Sequence, residues 1–124
     1  MEARVLEYAP QGEFFIEEQC FITELSNGEF DGELSIARAR VSPGVSTRWH
    51  VLHGTTERYV VLEGVGRVEA GELPAREVGP CDVVIIPAGC RQRITNTGSV
   101  DLVFLALCTP RFRPACYEEI VAPA

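Results

Sequence analysis

Gly44-Val45-Ser46-Thr47-Arg48-Trp49-His50-Val51-Leu52-His53-Gly54-Thr55-Thr56-Glu57-Arg58-Tyr59-Val60-Val61-Leu62-Glu63-Gly64 decides how this chain is read. It carries both histidines of the 124-residue sequence, with a glutamate four residues beyond the second. Side chains alternate along a strand, so Arg48, His50 and Leu52 are expected on one face. Glu57, Tyr59 and Val61 share a face of the strand that follows. If both faces turn inward, a histidine and a carboxylate converge, and that pair is a ligand set for Zn, Mn, Fe, Ni or Cu. His53 falls one residue late and faces the other way in a regular strand. A bulge, or the turn at Gly54, would bring it in.

Outward from this stretch, the chain reads as strands. Short runs rich in Val, Ile, Phe and Tyr recur: Phe14 to Ile16, Cys20 to Ile22, Leu34 to Val41, Ser46 to Leu52 and Glu57 to Glu63. Gly66 to Ala70, Glu72 to Val78, Val83 to Ile86, Arg91 to Thr95 and Val100 to Leu107 continue the series. Asn27-Gly28, Asp31-Gly32 and Gly71 supply turn chemistry between them. Few windows repeat apolar residues at helical spacing. Many short strands at regular intervals predict an all-β sandwich or closed barrel, and closure removes exposed strand edges. From Pro110 the character changes, and Tyr117 to Val121 reads as a helical turn or as a strand added to a partner.

Composition sets the bounds. The length fits one domain, residues 1–124, and 46% apolar residues suffice for a packed core. A net charge of −7 gives no electrostatic reason to bind nucleic acid. The start, Met1-Glu2-Ala3-Arg4, does not read as a secretory signal, and no apolar run is long enough to cross a bilayer. Five cysteines, an odd number with no C-x-x-C pair, point to thiols rather than disulfides and to a cytoplasmic home.

The residues above resemble the cupin family. Its first motif, G-x5-H-x-H-x3,4-E-x6-G, is matched by Gly44, His50, Glu57 and Gly64. Its second, G-x5-P-x-G-x2-H-x3-N, is matched by Pro87, Gly89 and Asn96, with Cys81 at the first glycine and Gln92 at the histidine. The resemblance spans about residues 34 to 108 and implies an antiparallel jelly-roll β-barrel with a short C-terminal extension. It also implies a divalent ion (Zn, Mn, Fe or Ni) held by His50, Glu57 and Gln92, with or without His53. Leu52 stands where the family's second histidine belongs. Arg48 and Tyr59 are the catalytic candidates.

Two functions follow as expectations. One is a metal-dependent enzyme acting on a small metabolite, a Lewis-acid isomerase, epimerase or lyase. The other is a metal-free binding or sensor module in which Arg48, His50, Glu57, Tyr59 and Gln92 are the polar points of an apolar pocket. There Arg48 is the expected ion partner of the pocket. Beside these two stands a further expectation, a structural dimerisation domain. A homodimer is expected through Trp49 and the tail residues Phe112 and Tyr117, with no nucleic acid and no membrane as partner.

Overall fold

The computed structural model describes residues 1–122 and contains two antiparallel sheets packed face to face. Among the described residues eleven strands run in chain order: β1 (Phe14–Ile16), β2 (Cys20–Ser26), β3 (Ser35–Val41), β4 (His50–Leu52), β5 (Thr56–Glu63), β6 (Gly66–Ala70), β7 (Arg76–Val78), β8 (Val83–Ile86), β9 (Gln92–Asn96), β10 (Leu102–Thr109) and β11 (Tyr117–Glu119). One sheet has the order β1-β2-β3-β10-β5-β8 and the other β11-β4-β9-β6-β7. The expected all-β jelly-roll architecture is therefore what the chain adopts. Among the described residues no helix is long and apolar enough to cross a membrane.

Alternation builds the core. On β5, Glu57, Tyr59 and Val61 are buried while Arg58 and Val60 face outward; on β9, Gln92, Ile94 and Asn96 point in. Val41, Val61, Val68, Ile86, Ile94 and Leu102 are almost wholly shielded from water and fill the space between the sheets. Asn96, the last residue of the second motif, donates to the carbonyls of Val41 and Val100 and so ties the two sheets together. Gly64 is required where it stands: its φ is +77°, and a Cβ there would lie 2.6 Å from the Asp101 carbonyl oxygen.

Two sequence expectations are corrected. Ser46 to Leu52 is not one strand. Ser46 makes only an isolated bridge to Thr95, the Arg48 amide donates to the Glu18 carbonyl, and regular pairing begins at His50. Alternation therefore does not extend back to Arg48. The tail does form a strand, but on its own barrel: Tyr117 to Glu119 pair with Leu52 to His50.

Candidate functional site

The register across the larger sheet explains why the interior is hollow. Ile22, Ala39 and Phe104 lie side by side, as do Glu24, Ala37, Ala106 and Tyr59, and then Ser35, Cys108 and Glu57. Three alanines, a serine and a cysteine at neighbouring inward positions leave a cavity of about 270 Å³ over that sheet. Phe14, Ile16, Phe112 and Pro114 close over it from the two ends of the chain.

Glu57, His50 and Gln92 come together between the sheets; Glu57 lines the cavity, whereas His50 and Gln92 are not among its lining residues. His50 and Gln92 are directly opposed on β4 and β9, and both are almost fully buried. The Nδ1 of His50 donates to the Arg48 carbonyl (2.8 Å), which leaves Nε2 with its lone pair facing inward. Burial holds the His50 pKa below its ordinary value, so the ring is neutral. Tyr59, buried against Phe104, donates its hydroxyl hydrogen across the interior to the Oε1 of Gln92. Tyr117 stacks on His50 from the outer side, with ring centroids 5.1 Å apart.

Glu57 is 9% exposed and lines the cavity. The Cys108 thiol donates weakly to its Oε2 (3.8 Å), but its Oε1 finds no hydrogen-bond partner among the described residues. Burial is the main cause that pushes its pKa up to about 7, and the charge of Glu18 adds to the rise against smaller opposing effects of His50, Gln92 and Cys108.

Glu18 is the site residue that the sequence reading missed. It sits in the turn between β1 and β2, where Gln19 takes a φ of 78°. Its side chain is 17% exposed, and its Oε1 lies 3.7 Å from the Nε2 of His50. Burial raises its pKa to about 7 as well. A glutamate in a Glu17-Glu18-Gln19 turn reads as solvated. The long-range bond from the Arg48 amide to its backbone carbonyl, and a weak one from the Cys20 thiol to its Oε2 (3.7 Å), hold it inward.

Other candidates lie elsewhere. His53 is exposed, bonded through Nε2 to Glu118 at 2.6 Å, because the turn at Gly54 does not swing it inward. The Arg48 side chain is on the surface with Glu119 at 3.1 Å, and the pocket's ion partner is not an arginine. Trp49 is covered by the guanidinium groups of Arg93 and Arg91, centred 4.7 and 5.7 Å from its ring. Phe112 lines the cavity and Tyr117 covers His50, so the surfaces expected to form a dimer are engaged within the chain.

Against the needs of a metal ion this donor set is short. It offers one imidazole, and the Gln92 oxygen is already engaged by Tyr59. Among the described residues no group of three His, Cys, Asp or Glu side chains converges to hold a metal. As placed, these residues do not fit the ion that the motif resemblance implies.

The family model described as "Cupin domain" matches residues 37–108. A conserved Klebsiella pneumoniae protein with a double-stranded β-helix domain is similar over 98% of this chain and 100% of its own, at 14% identity and a TM-score of 0.77. The nucleoside dehydratase Pac13 is similar at 16% identity over 92% of this chain and 89% of its own, with a TM-score of 0.74. Lactobacillus farciminis oxalate decarboxylase, in a formate complex, is similar at 16% identity and a TM-score of 0.75; the match covers 87% of this chain and 33% of that one. Comparison with curated proteins gives no match. At these identities the similar structures share the fold.

Proposed function

This chain belongs to the cupin family, and from that premise we propose that its barrel interior binds a small organic molecule and moves a proton on it, with Glu57 as the proton carrier. One observation carries the reading: a buried carboxyl, one of whose oxygens has no partner among the described residues, lines an otherwise mostly apolar cavity. Leaving a buried carboxyl unpaired is costly, and a site retained for binding or catalysis is where such a cost is met.

A carboxyl with a pKa of about 7 is present in both protonation states near neutral pH, which suits a general acid or base. Glu18 supplies a second such group, and the neutral His50 beside it can accept or return a proton at Nε2. Tyr59 lines the cavity, and its bond to the buried Gln92 fixes its ring as a wall against which the ligand is oriented. Two carboxyl groups on one cavity wall, one of them beside a buried imidazole, support proton abstraction and return, the chemistry of an isomerase, epimerase or lyase. The fold accommodates such work in other hands: one similar structure is a nucleoside dehydratase and another a decarboxylase.

Screening small metabolites by thermal shift identifies ligands, and NMR in D₂O then reads deuterium entering them. Wild-type protein should exchange or convert a bound ligand, and Glu57→Gln should slow this by about 10²-fold or more. A ligand that binds tightly yet neither exchanges nor reacts would reduce the protein to a binding or sensor module.

The second reading is a divalent ion on His50, Glu57 and Gln92, favoured by the same unpartnered Oε1. It requires Gln92 to release Tyr59. Less than about 0.1 equivalent of Zn, Mn, Fe or Ni, before and after reconstitution, would dismiss it, since a real site of this kind binds stoichiometrically.

A further inference from the structure

The cavity has a chemical bias beyond its size. Phe14, Tyr59, Phe104 and Phe112 contribute aromatic surface to its walls. Its acidic groups are Glu57 and Glu18 inside and Glu24 at the exposed rim. The sequence contains eleven arginines and no lysine, and among the described lining residues there is no arginine. Of the arginines that flank lining residues in sequence, Arg38 and Arg40 are paired with Glu13, Arg40 also with Asp101, Arg58 donates to Thr109, and Arg111 donates to Asn27.

We propose that the cavity takes a small organic ammonium ion with a compact apolar body. This rests on the reading of the cavity as a ligand site and names the class of ligand. Glu57 lines the space, is 9% exposed and has an Oε1 without a partner among the described residues; it supplies one carboxylate, and Glu18 on the same lining supplies a second beside His50. A cation placed there answers both, and no arginine is among the lining residues. Aromatic faces attract ammonium groups, most strongly where water is excluded. The alanine floor and Phe104 accept the alkyl body. An anionic ligand would meet carboxylates without a counter-ion. About 270 Å³ accommodates roughly ten non-hydrogen atoms at liquid-like density.

Calorimetric titration with three probes of one shape tests the proposal: cyclohexylamine, cyclohexanol and cyclohexanecarboxylate. Cyclohexane in a thermal-shift assay reports on the cavity itself. The ammonium probe should bind at least about tenfold more tightly than the alcohol, and the carboxylate should not bind. Glu57→Gln and, independently, Glu18→Gln should weaken the amine about tenfold or more and change the alcohol by less than about threefold. Equal binding of alcohol and amine, or binding of the carboxylate, overturns the ligand class and leaves the cavity as a site. Failure of all four probes, cyclohexane included, overturns the site and the proposal with it.

Discussion

At the residue scale, the cost of Glu57 has a measurable sign. The carboxyl titrates near 4.5 when unfolded and at about 7 when folded, so the folded state binds the proton more tightly. Stability is therefore full below about pH 4.5 and is lost as pH rises toward 7, above which it levels off. A shift of that size corresponds to a loss on the order of 3 kcal/mol. Glu18 moves in the same direction over the same window. His50, with its pKa lowered, works oppositely and loses stability as pH falls below 6.5. Glu57→Gln keeps the shape and removes one titration. Urea midpoints at pH 5 and pH 8 should show the wild type losing stability across that interval and the variant losing clearly less. Identical slopes in the two proteins would mean that Glu57 is solvated or neutralised by something else. His50, Glu57 and Gln92 are readable from sequence because strand periodicity and motif spacing fix their faces. Glu18 is not, since its place depends on a turn held by Arg48, about thirty residues away. Cys81 lies between these cases. It occupies a motif glycine position and adopts a φ of 72°, the left-handed region that explains why glycine suits that place.

At the scale of elements, the cavity is a property of register. Ala37 on β3 and Ala106 on β10 are paired neighbours, and both keep partial exposure although they face the interior. Their side chains are short where a core would place Leu or Val. Ala106→Leu should therefore enter empty space, avoiding the roughly 1–3 kcal/mol that overpacking costs in a full core. Denaturation should place the variant within about 1 kcal/mol of wild type, while binding of any cavity ligand is lost. A large destabilisation would show that the space is filled by neighbouring side chains in solution. Strand positions were largely readable because alternation and turn residues are local signals. Two features were not. The chain from Ser46 to Trp49 satisfies its backbone through Ile94 and Glu18 instead of a continuous ladder, which frees Arg48 from the inward face. The tail reads as a helical turn or a strand added to a partner, and its pairing with β4 of the same chain was not legible, because the partner of a three-residue strand is set by where the tail lands.

At the scale of the whole molecule, the homodimer remains the proposed assembly, and the structure moves its most suitable surface. Each sheet ends in a short free strand on the same side, β8 in one and β7 in the other. On β8, Val83 and Ile85 are 57% and 66% exposed, and the outward row continues through Val60 to Leu62. An unpaired apolar edge is a pairing template unless it is protected, and no lysine, proline or bulge guards β8. Between the two edges runs a groove of about 200 Å³ that presents Arg76 and Asp82 together with Leu73 and Ile85. Antiparallel pairing of β8 with its copy about a two-fold axis would extend the larger sheet, cover Val83 and Ile85, and set each arginine toward the acidic residue of the opposite groove. That self-complementarity is what an isologous interface needs. Light scattering should give twice the 13.6 kDa chain mass for wild type. Ile85→Glu should give the single-chain mass with an unchanged thermal transition at high dilution, because it places like charges across the axis without touching the interior. A wild type that stays monomeric at high concentration would leave β8 as a free edge and remove the dimer from this account.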